Sequence, residues 1–270
     1  MKITIDNHSS YVYRGKADSH VEVSKALPNI LFIHGAQQDH SCWALQSRWF
    51  AHHGYNVFVP DLPGHGMSAG DPLESIEELA KWIKKLIDQL DLKEVTLVGH
   101  SMGSLIALEF TLQNTSKVAK LILIGSALPM PVSDILLDAA QNNEPKAISM
   151  VNNFSHSSQA QIGRNTVPGM WMMGVNQRLM ERQKKGVFFN DLTACNNYKV
   201  DSNMLSDLSD QSLTVLVMSG SEDKMTSPKS ARKLSEQILG SRLTLINGAG
   251  HALMAEAPNE VLDCLIGFTK

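Results

Sequence analysis

The segment from residue 95 to residue 112 constrains the fold of this chain more than any other. It reads VTLVGHSMGSLIALEFTL, an apolar run followed by Gly99, Ser101 and Gly103 in the pattern G-x-S-x-G and then by a helix-compatible run. The apolar run is long enough for one buried strand. The two glycines fit a tight turn at which neighbouring backbones approach too closely for a β-carbon. The segment therefore predicts a strand, a sharp turn with an exposed Ser101 hydroxyl, and a helix.

The pattern G-x-S-x-G is weak when taken alone. At ordinary frequencies of glycine and serine, a chain of this length contains it by chance with a probability of about 0.1. The alternative interpretation is an ordinary Gly-rich loop between a strand and a helix. The remainder of the chain has to decide between the two.

Short apolar runs of the same kind alternate with helical patterns along most of the chain. Further strands are predicted at 29–33, 56–61, 120–126, 213–218 and 242–247, with a pair of short antiparallel strands at 2–6 and 11–14. Amphipathic or apolar helices are predicted at 42–53, 75–90 and 227–239, and from Pro258 onward. This alternation predicts an α/β fold, a mostly parallel central sheet with helices on both faces.

The alternation stops between residues 129 and 210. This segment is rich in Asn and Ser, has no strand pattern and contains seven of the thirteen methionines. We predict an inserted helical cap at 129–210 on a core formed by 1–128 and 211–270. Because methionine fills irregular spaces, these side chains predict either a loosely packed cap interior or an adaptable apolar roof over the serine.

Composition narrows the possible partners and the compartment. The 270 residues are 43% hydrophobic and 19% charged with a formal net charge of -3, so the chain is globular. Lys and Arg are scattered, which argues against nucleic acid or a membrane as partner. Three widely separated cysteines and no signal peptide predict a reducing, cytoplasmic location. The absence of an H-E-x-x-H or Cys/His cluster predicts no metal.

Three residues of complementary chemistry follow predicted strand ends. A serine hydroxyl needs an adjacent base, and the base needs a partner that orients it. Ser101, Asp223 and His251 occur in the order Ser, Asp, His, which is one of the known triad orders. The open alternatives are that Glu222 is the acid, that Asp223 only begins a helix, and that His251 only holds a loop.

Five segments carry a resemblance to a known family. They are FIHGA (32–36), DLPGHGMS (61–68), GHSMG (99–103), GSEDKMTSP (220–228) and GAGHALMAE (248–256). In this order and between these elements they resemble the α/β-hydrolase fold superfamily, over nearly all of the chain outside the cap. The resemblance implies that Ser101 is the nucleophile, Asp223 the acid and His251 the base. Ser104, where many relatives carry glycine, is the one departure.

The resemblance also implies an oxyanion hole and a binding wall. The backbone N–H groups of Met102 and Ala36 are the expected oxyanion donors, and Gln37 is close enough to share the role of Ala36. The candidate substrate-binding residues are His34, Gly35 and His100. A histidine in a loop signature, such as His34 or His65, can instead hold its loop through hydrogen bonds.

These observations predict a serine hydrolase, a carboxylesterase that cleaves a small carboxylic ester or related acyl substrate through an acyl-enzyme. It would act on a small molecule without a cofactor. The alternative is an enzyme that uses the same triad on a different bond, as in C–C bond hydrolases, enol-lactone hydrolases or haloperoxidase-like enzymes. A third interpretation is a ligand-sensing module that keeps the fold without turnover.

Overall fold

A computed structural model describes residues 1–15, 23–163, 169–208 and 213–270 of the protein. Its central feature is an eight-stranded sheet. The strands are β1 (Lys2–Ile5), β2 (His8–Tyr13), β3 (Asn29–Ile33), β4 (Asn56–Pro60), β5 (Val95–His100), β6 (Val118–Ile124), β7 (Thr214–Gly220) and β8 (Arg242–Ile246). Their order is β1-β2-β4-β3-β5-β6-β7-β8. The pairs β1–β2 and β2–β4 are antiparallel and all the others are parallel, which confirms the predicted fold class.

The central strands are buried on both faces, which explains their nearly continuous apolar sequence. Every residue of β4 and β5 is buried. Successive side chains of β3 alternate between two cores, with Leu31 and Ile33 in one and Ile30 and Phe32 in the other. Strand β2 begins three residues earlier than predicted, because the polar segment from His8 pairs with β1 across a turn.

Six described helices cover the faces and the edge of this sheet. They are α1 (Ala44–His52), α2 (Ile76–Gln89), α3 (Met102–Gln113), α10 (Pro228–Gln237), α11 (Leu253–Glu256) and α12 (Pro258–Thr269). Helix α2 illustrates why they form, because the Ser75 hydroxyl caps its first turn and its apolar residues lie on one buried face. A short 3-10 helix, His40–Trp43, precedes α1.

Between β6 and β7 the described chain is helical. This helical insert comprises α4 (Asp134–Asn142), α5 (Glu144–Ser155), α6 (Ser158–Gln161), α7 (Met172–Glu181), α8 (Val187–Asn197) and α9 (Ser202–Asp207). Helices α4, α5, α7 and α8 share an apolar cluster of their own. The predicted boundary at 210/211 lies outside the described residues. No described helix is long and apolar enough to span a membrane.

Candidate active site

Ser101 lies at the turn between β5 and α3 in a strained conformation. Its φ is 52° and its ψ is −120°, values that a residue with a side chain adopts only where its surroundings hold it. The Ser101 N–H donates to the Ile124 carbonyl at 2.9 Å. A β-carbon on Gly99 would collide with Gly103, and one on Gly103 would collide with Ile33. The turn therefore requires both glycines of the pattern.

Asp223 and His251 meet at the carboxyl ends of β7 and β8. His251 Nδ1 lies 2.8 Å from Asp223 Oδ2, and both side chains are buried. The second carboxylate oxygen accepts the N–H groups of Met225 and Thr226, each at 2.8 Å. Burial acts to raise the pKa of Asp223, but His251 and the Thr226 hydrogen bonds lower it below its ordinary value. The ionised carboxylate therefore holds the proton of His251 on Nδ1.

Ser101 and His251 line the same cavity. No hydrogen bond joins the Ser101 hydroxyl to His251 among the described residues, while His251 Nε2 has no other partner there. Catalytic hydrogen bonds are often long in ligand-free enzymes and tighten when substrate binds. The arrangement places a serine and a histidine with an unengaged imidazole nitrogen in the lining of one cavity.

Two neighbours fix the position of the His251 ring. Gly125 has a φ of 56°, and a β-carbon there would lie 3.0 Å from His251 Cε1. His100 Nε2 donates to the His251 carbonyl at 2.9 Å, which leaves His100 Nδ1 buried and without a partner in the described chain. Burial, with a contribution from His251, lowers the pKa of His100 to about 3. His100 is therefore a neutral ring in the cavity wall.

Of the three predicted binding residues, Gly35 and His100 line the cavity and His34 does not. His34 is fully buried behind the cavity, where Nδ1 donates to the Gly35 carbonyl at 2.9 Å and Nε2 accepts the Leu62 N–H at 3.1 Å. Burial lowers the pKa of His34 to about 4. This side chain joins two loops and leaves no polar atom for a ligand.

The N–H groups predicted to form an oxyanion hole differ in their availability. Ala36 lines the cavity, and in the described parts of the chain neither its N–H nor that of Met102 donates to an acceptor. The Met102 N–H opens helix α3, where the helix dipole favours negative charge. The Gln37 N–H donates to Asp191 at 2.8 Å. Of the two candidates in this loop, only Ala36 has an unused N–H.

The cavity has a volume of about 260 Å³ and an apolar wall built largely by the insert. The apolar side chains are those of Ala36, Met130, Pro131, Val132, Leu136, Met150, Val151, Phe154, Met180, Phe188, Leu192, Met225 and Ala252. Three of the seven methionines in the segment line this space, whereas Met172 is buried outside the cavity lining. Met180 also belongs to the apolar cluster of the insert, so the interior of the insert and the cavity wall share this side chain. Lys224 is the one Lys, Arg, Asp or Glu among the described lining residues.

Comparison with known families decides the class of this fold. A sequence model of the α/β hydrolase fold matches residues 28–258. The chain belongs to the α/β hydrolase fold family. A 2-hydroxy-6-oxononadienedioate/2-hydroxy-6-oxononatrienedioate hydrolase of Klebsiella pneumoniae is 29% identical over 254 residues, 88% of this chain and 86% of the relative.

Two solved structures share the fold of this α/β hydrolase along nearly its whole chain. An esterase from Exiguobacterium antarcticum gives a TM-score of 0.82 at 21% identity, covering 98% of this chain and 97% of the esterase. The enol-lactonase from Burkholderia xenovorans LB400 gives a TM-score of 0.82 at 18% identity, covering 100% and 99%. At these identities the likeness shows the fold alone.

The site of this α/β hydrolase contains residues that the sequence analysis missed. Asp191 on α8 is fully buried, and its Oδ2 accepts from the Gln37 N–H and from His65 Nε2, the latter at 2.9 Å. Arg182, which follows α7, donates to both oxygens of Asp39 at 2.8 and 2.6 Å. The sequence gives no distinct signal for Asp191, because α8 contains other polar residues, among them Asn190, Thr193 and Asn196.

Glu256 on α11 makes a second connection between the insert and the site. One of its carboxylate oxygens accepts the Gly250 N–H at 3.0 Å and the other accepts the Ser157 N–H at 2.9 Å. The Ala252 N–H donates to the Ser155 carbonyl at 2.9 Å. The loop that carries His251 is thus hydrogen-bonded to the end of α5 and the start of α6.

One cluster in this α/β hydrolase has the composition of a metal site. The ligand atoms of Asp39, His40 and Asp61 lie within 4.8 Å of one another. Asp61 Oδ1 accepts from His40 Nδ1 at 2.8 Å, and both Asp39 oxygens are engaged by Arg182. Burial acts to raise the pKa of Asp39, but hydrogen bonds from Ser41 and Arg182 bring it to about 2. These groups thus bind one another.

Proposed function

We propose that this α/β hydrolase is a serine hydrolase that cleaves a small carboxylic ester through an acyl-enzyme. The observation that carries the proposal is the buried Asp223–His251 pair, 2.8 Å between Oδ2 and Nδ1, in one cavity with the strained Ser101. A buried acid that fixes the tautomer of a histidine beside a serine is the arrangement that activates a hydroxyl.

In the proposed mechanism Ser101 attacks the ester carbonyl while His251 Nε2 takes the hydroxyl proton. Asp223 stabilises the imidazolium that forms and keeps its orientation. His251 then gives the proton to the leaving alcohol, which leaves an acyl group on Ser101. A water molecule, deprotonated by His251, then attacks the acyl carbon. The bond from this carbon to Ser101 Oγ breaks, His251 returns the proton to Oγ, and the carboxylic acid leaves.

The N–H groups of Met102 and Ala36 are proposed to hold the oxyanion of both tetrahedral intermediates. Their lack of another acceptor in the described chain supports this role. Removal of one such donor costs roughly 10²–10³ in turnover in serine hydrolases, so the two groups are a large part of the expected rate.

We further propose that residues 129–210 form a cap over a core of residues 1–128 and 211–270. The cap would select the acyl group, because its side chains form most of the apolar cavity wall. The K. pneumoniae relative is named for dioate substrates, which carry two carboxylates. One exposed lysine among the described lining residues suits a neutral ester better than a dianion.

Labelling with a fluorophosphonate tests the nucleophile. The wild-type protein should incorporate one probe per chain, and S101A should incorporate none. Ser133→Ala is the matched control, because Ser133 lines the same cavity but lies apart from the triad. A folded wild-type protein without labelling at Ser101 would contradict the proposal and favour a ligand-sensing module.

A substrate panel tests the bond that is cleaved. We expect turnover of p-nitrophenyl esters of short acyl chains, and none of 2-hydroxy-6-oxononadienedioate. Faster turnover of the dienedioate than of every ester would reject ester cleavage in favour of C–C bond hydrolysis by the same serine.

A further inference from the structure

In segment 35–37 of the loop that follows β3, two backbone N–H groups are engaged by side chains and the one between them is not, among the described residues. The Gly35 N–H donates to Gln38 Oε1 at 3.2 Å, and the Gln37 N–H donates to Asp191 Oδ2 at 2.8 Å. The Ala36 N–H lies between them and has no acceptor in the described chain, while Ala36 lines the cavity. The direction of this one N–H therefore depends on how its two neighbours are held.

Gln37 is held in a conformation that it would not adopt freely. Its φ is 55°, in the left-handed region, and the residue is fully buried. Besides the bond to Asp191, Gln37 Nε2 donates to the Met180 carbonyl at 3.1 Å. Both acceptors belong to the insert, since Met180 lies on α7 and Asp191 on α8. The insert thus fixes the backbone of this loop.

Asp191 is itself placed by a buried ion pair. His65 Nδ1 lies 2.9 Å from the Pro63 carbonyl, and His65 Nε2 lies 2.9 Å from Asp191 Oδ2. Both ring nitrogens face acceptors, so the ring carries two protons and a positive charge. Burial acts to lower the pKa of His65, but the neighbouring Asp191 raises it above its ordinary value.

One oxygen of Asp191 is buried in an energetically unfavourable way. Its second oxygen, Oδ1, is buried and has no donor among the described residues. An unpaired buried carboxylate oxygen is unfavourable for folding. An unsatisfied buried polar group calls for an explanation, and a role at a functional site is one such explanation.

We propose that Asp191 is a positioning residue of the oxyanion hole, which makes helix α8 part of the catalytic machinery. The inference rests on the proposed function, because it assigns the Ala36 N–H to the oxyanion. By accepting the Gln37 N–H, Asp191 fixes the peptide plane that follows Ala36 and thereby the direction of the Ala36 N–H. A change at Asp191 then weakens binding of the transition state more than binding of the substrate.

Steady-state kinetics of Asp191 variants test this role. With p-nitrophenyl butyrate, and with kcat calculated per serine titrated by a fluorophosphonate, we expect D191A to lower kcat about 10²-fold. D191N keeps an oxygen but loses the charge, and charge-assisted hydrogen bonds are about twice as strong as neutral ones. We therefore expect D191N to lower kcat about three- to tenfold, with KM within about threefold of the wild type in both variants.

The neighbouring residue on α8 provides the matched control. Asn190 Nδ2 donates to the Leu73 carbonyl at 2.7 Å and so joins the insert to a different loop. N190A removes a hydrogen bond between insert and core without touching the loop of Ala36. We expect its kcat to stay within about twofold of the wild type. Should D191A fail to fold, D191N carries the test alone.

Inhibitors separate this role from a merely structural one. A trifluoromethyl ketone forms a tetrahedral oxyanion on Ser101, whereas butyrate, the product, does not. In D191N the Ki of the ketone should rise by the factor by which kcat/KM falls, and the Ki of butyrate should stay unchanged. Wild-type kcat in D191N, or an equal rise in both Ki values, overturns the proposal.

The same experiment distinguishes this proposal from the function on which it rests. If the wild-type protein is not labelled at Ser101, both fail. If the wild type is labelled and D191N behaves like it, only the role of Asp191 is wrong.

Discussion

Gly125 leaves the space that the His251 ring occupies. A β-carbon at this position would lie 3.0 Å from His251 Cε1 and 3.1 Å from Nδ1, so the ring would have to move by a few tenths of an ångström. A misplacement of 1 Å costs on the order of 10² in rate. We therefore expect G125A to lower kcat about three- to tenfold, measured per titrated serine with p-nitrophenyl butyrate.

A second glycine separates this steric effect from backbone strain. Gly240 has a φ of 78°, and a β-carbon there would meet no atom within 4 Å, whereas Gly125 combines a φ of 56° with the His251 contact. Because an L-residue at such angles costs roughly 1–2 kcal/mol, both G125A and G240A should lower the free energy of unfolding by about that amount. Only G125A should lower kcat. An equal loss of kcat in G240A would trace the effect to stability.

At the scale of elements, the sequence is sufficient wherever one local pattern determines the structure. The prediction for strand β3 matches its observed bounds, because burial on both faces leaves a continuous apolar run. The prediction for helix α2, from its apolar spacing, agrees to within one residue at each end. Both features are encoded by residues close together in the chain.

Contacts between distant elements could not be predicted in this way. Asp191 accepts a hydrogen bond from Gln37, which lies 154 residues away in the chain. A single carboxylate in α8 gives no indication of which loop it meets, or that His65 will be charged beside it. His34 illustrates the same limit, because its Nε2 accepts from Leu62, 28 residues away in the chain, and the ring lies outside the cavity wall.

Helix α4 offers a test of how the insert selects the acyl group. Leu136 and Leu137 are both partly buried against the apolar cluster of the insert, but only Leu136 lines the cavity. L136A should lengthen the space available to the acyl chain. We expect the ratio of kcat/KM for p-nitrophenyl octanoate to that for p-nitrophenyl butyrate to rise at least about tenfold, since a single methylene in an apolar pocket discriminates by roughly tenfold or more.

L137A is the matched control for that change. It removes the same atoms from the same helix and should leave the ratio within about twofold of the wild type. If L136A and L137A alter the ratio alike, the selectivity reflects loosening of the insert as a whole and the cavity wall assigned to Leu136 is wrong.

At the scale of the whole molecule, buried histidines link folding to pH. Burial lowers the pKa of His34 to about 4 and that of His100 to about 3, and both rings are neutral in the folded protein. The pKa of His65 is shifted in the opposite direction, because the neighbouring Asp191 stabilises the protonated ring. Its contribution to stability is fully present below the pKa of an unfolded histidine, near 6.5, and is lost only as the pH rises through the raised value.

Between about pH 6 and pH 4 the neutral histidines should therefore control the stability of this protein. The unfolded chain binds protons at His34 and His100 in this range and the folded chain does not, so the free energy of unfolding falls as the pH is lowered. Each such group gives a slope of up to about 1.4 kcal/mol per pH unit, so His34 and His100 together give up to about 2.7 near pH 5. His156, whose pKa burial also lowers, adds to this slope. Asp39 and Asp223, whose pKa values are lowered in the folded protein, stabilise it above the ordinary carboxyl pKa near 3.8. This contribution is lost only at lower pH, as the pH falls through the folded pKa values.

Substitution of His100 isolates one of these protons. H100N keeps a donor for the His251 carbonyl and removes the titrating ring, so the slope should fall by about 1.4 kcal/mol per pH unit. The measurement is urea unfolding at several pH values between 6 and 4. H52N, at an exposed position, is the control and should leave the slope as it is. A wild-type slope in H100N would show that His100 exchanges no proton on unfolding, and that the neutral ring assigned to the cavity wall is wrong.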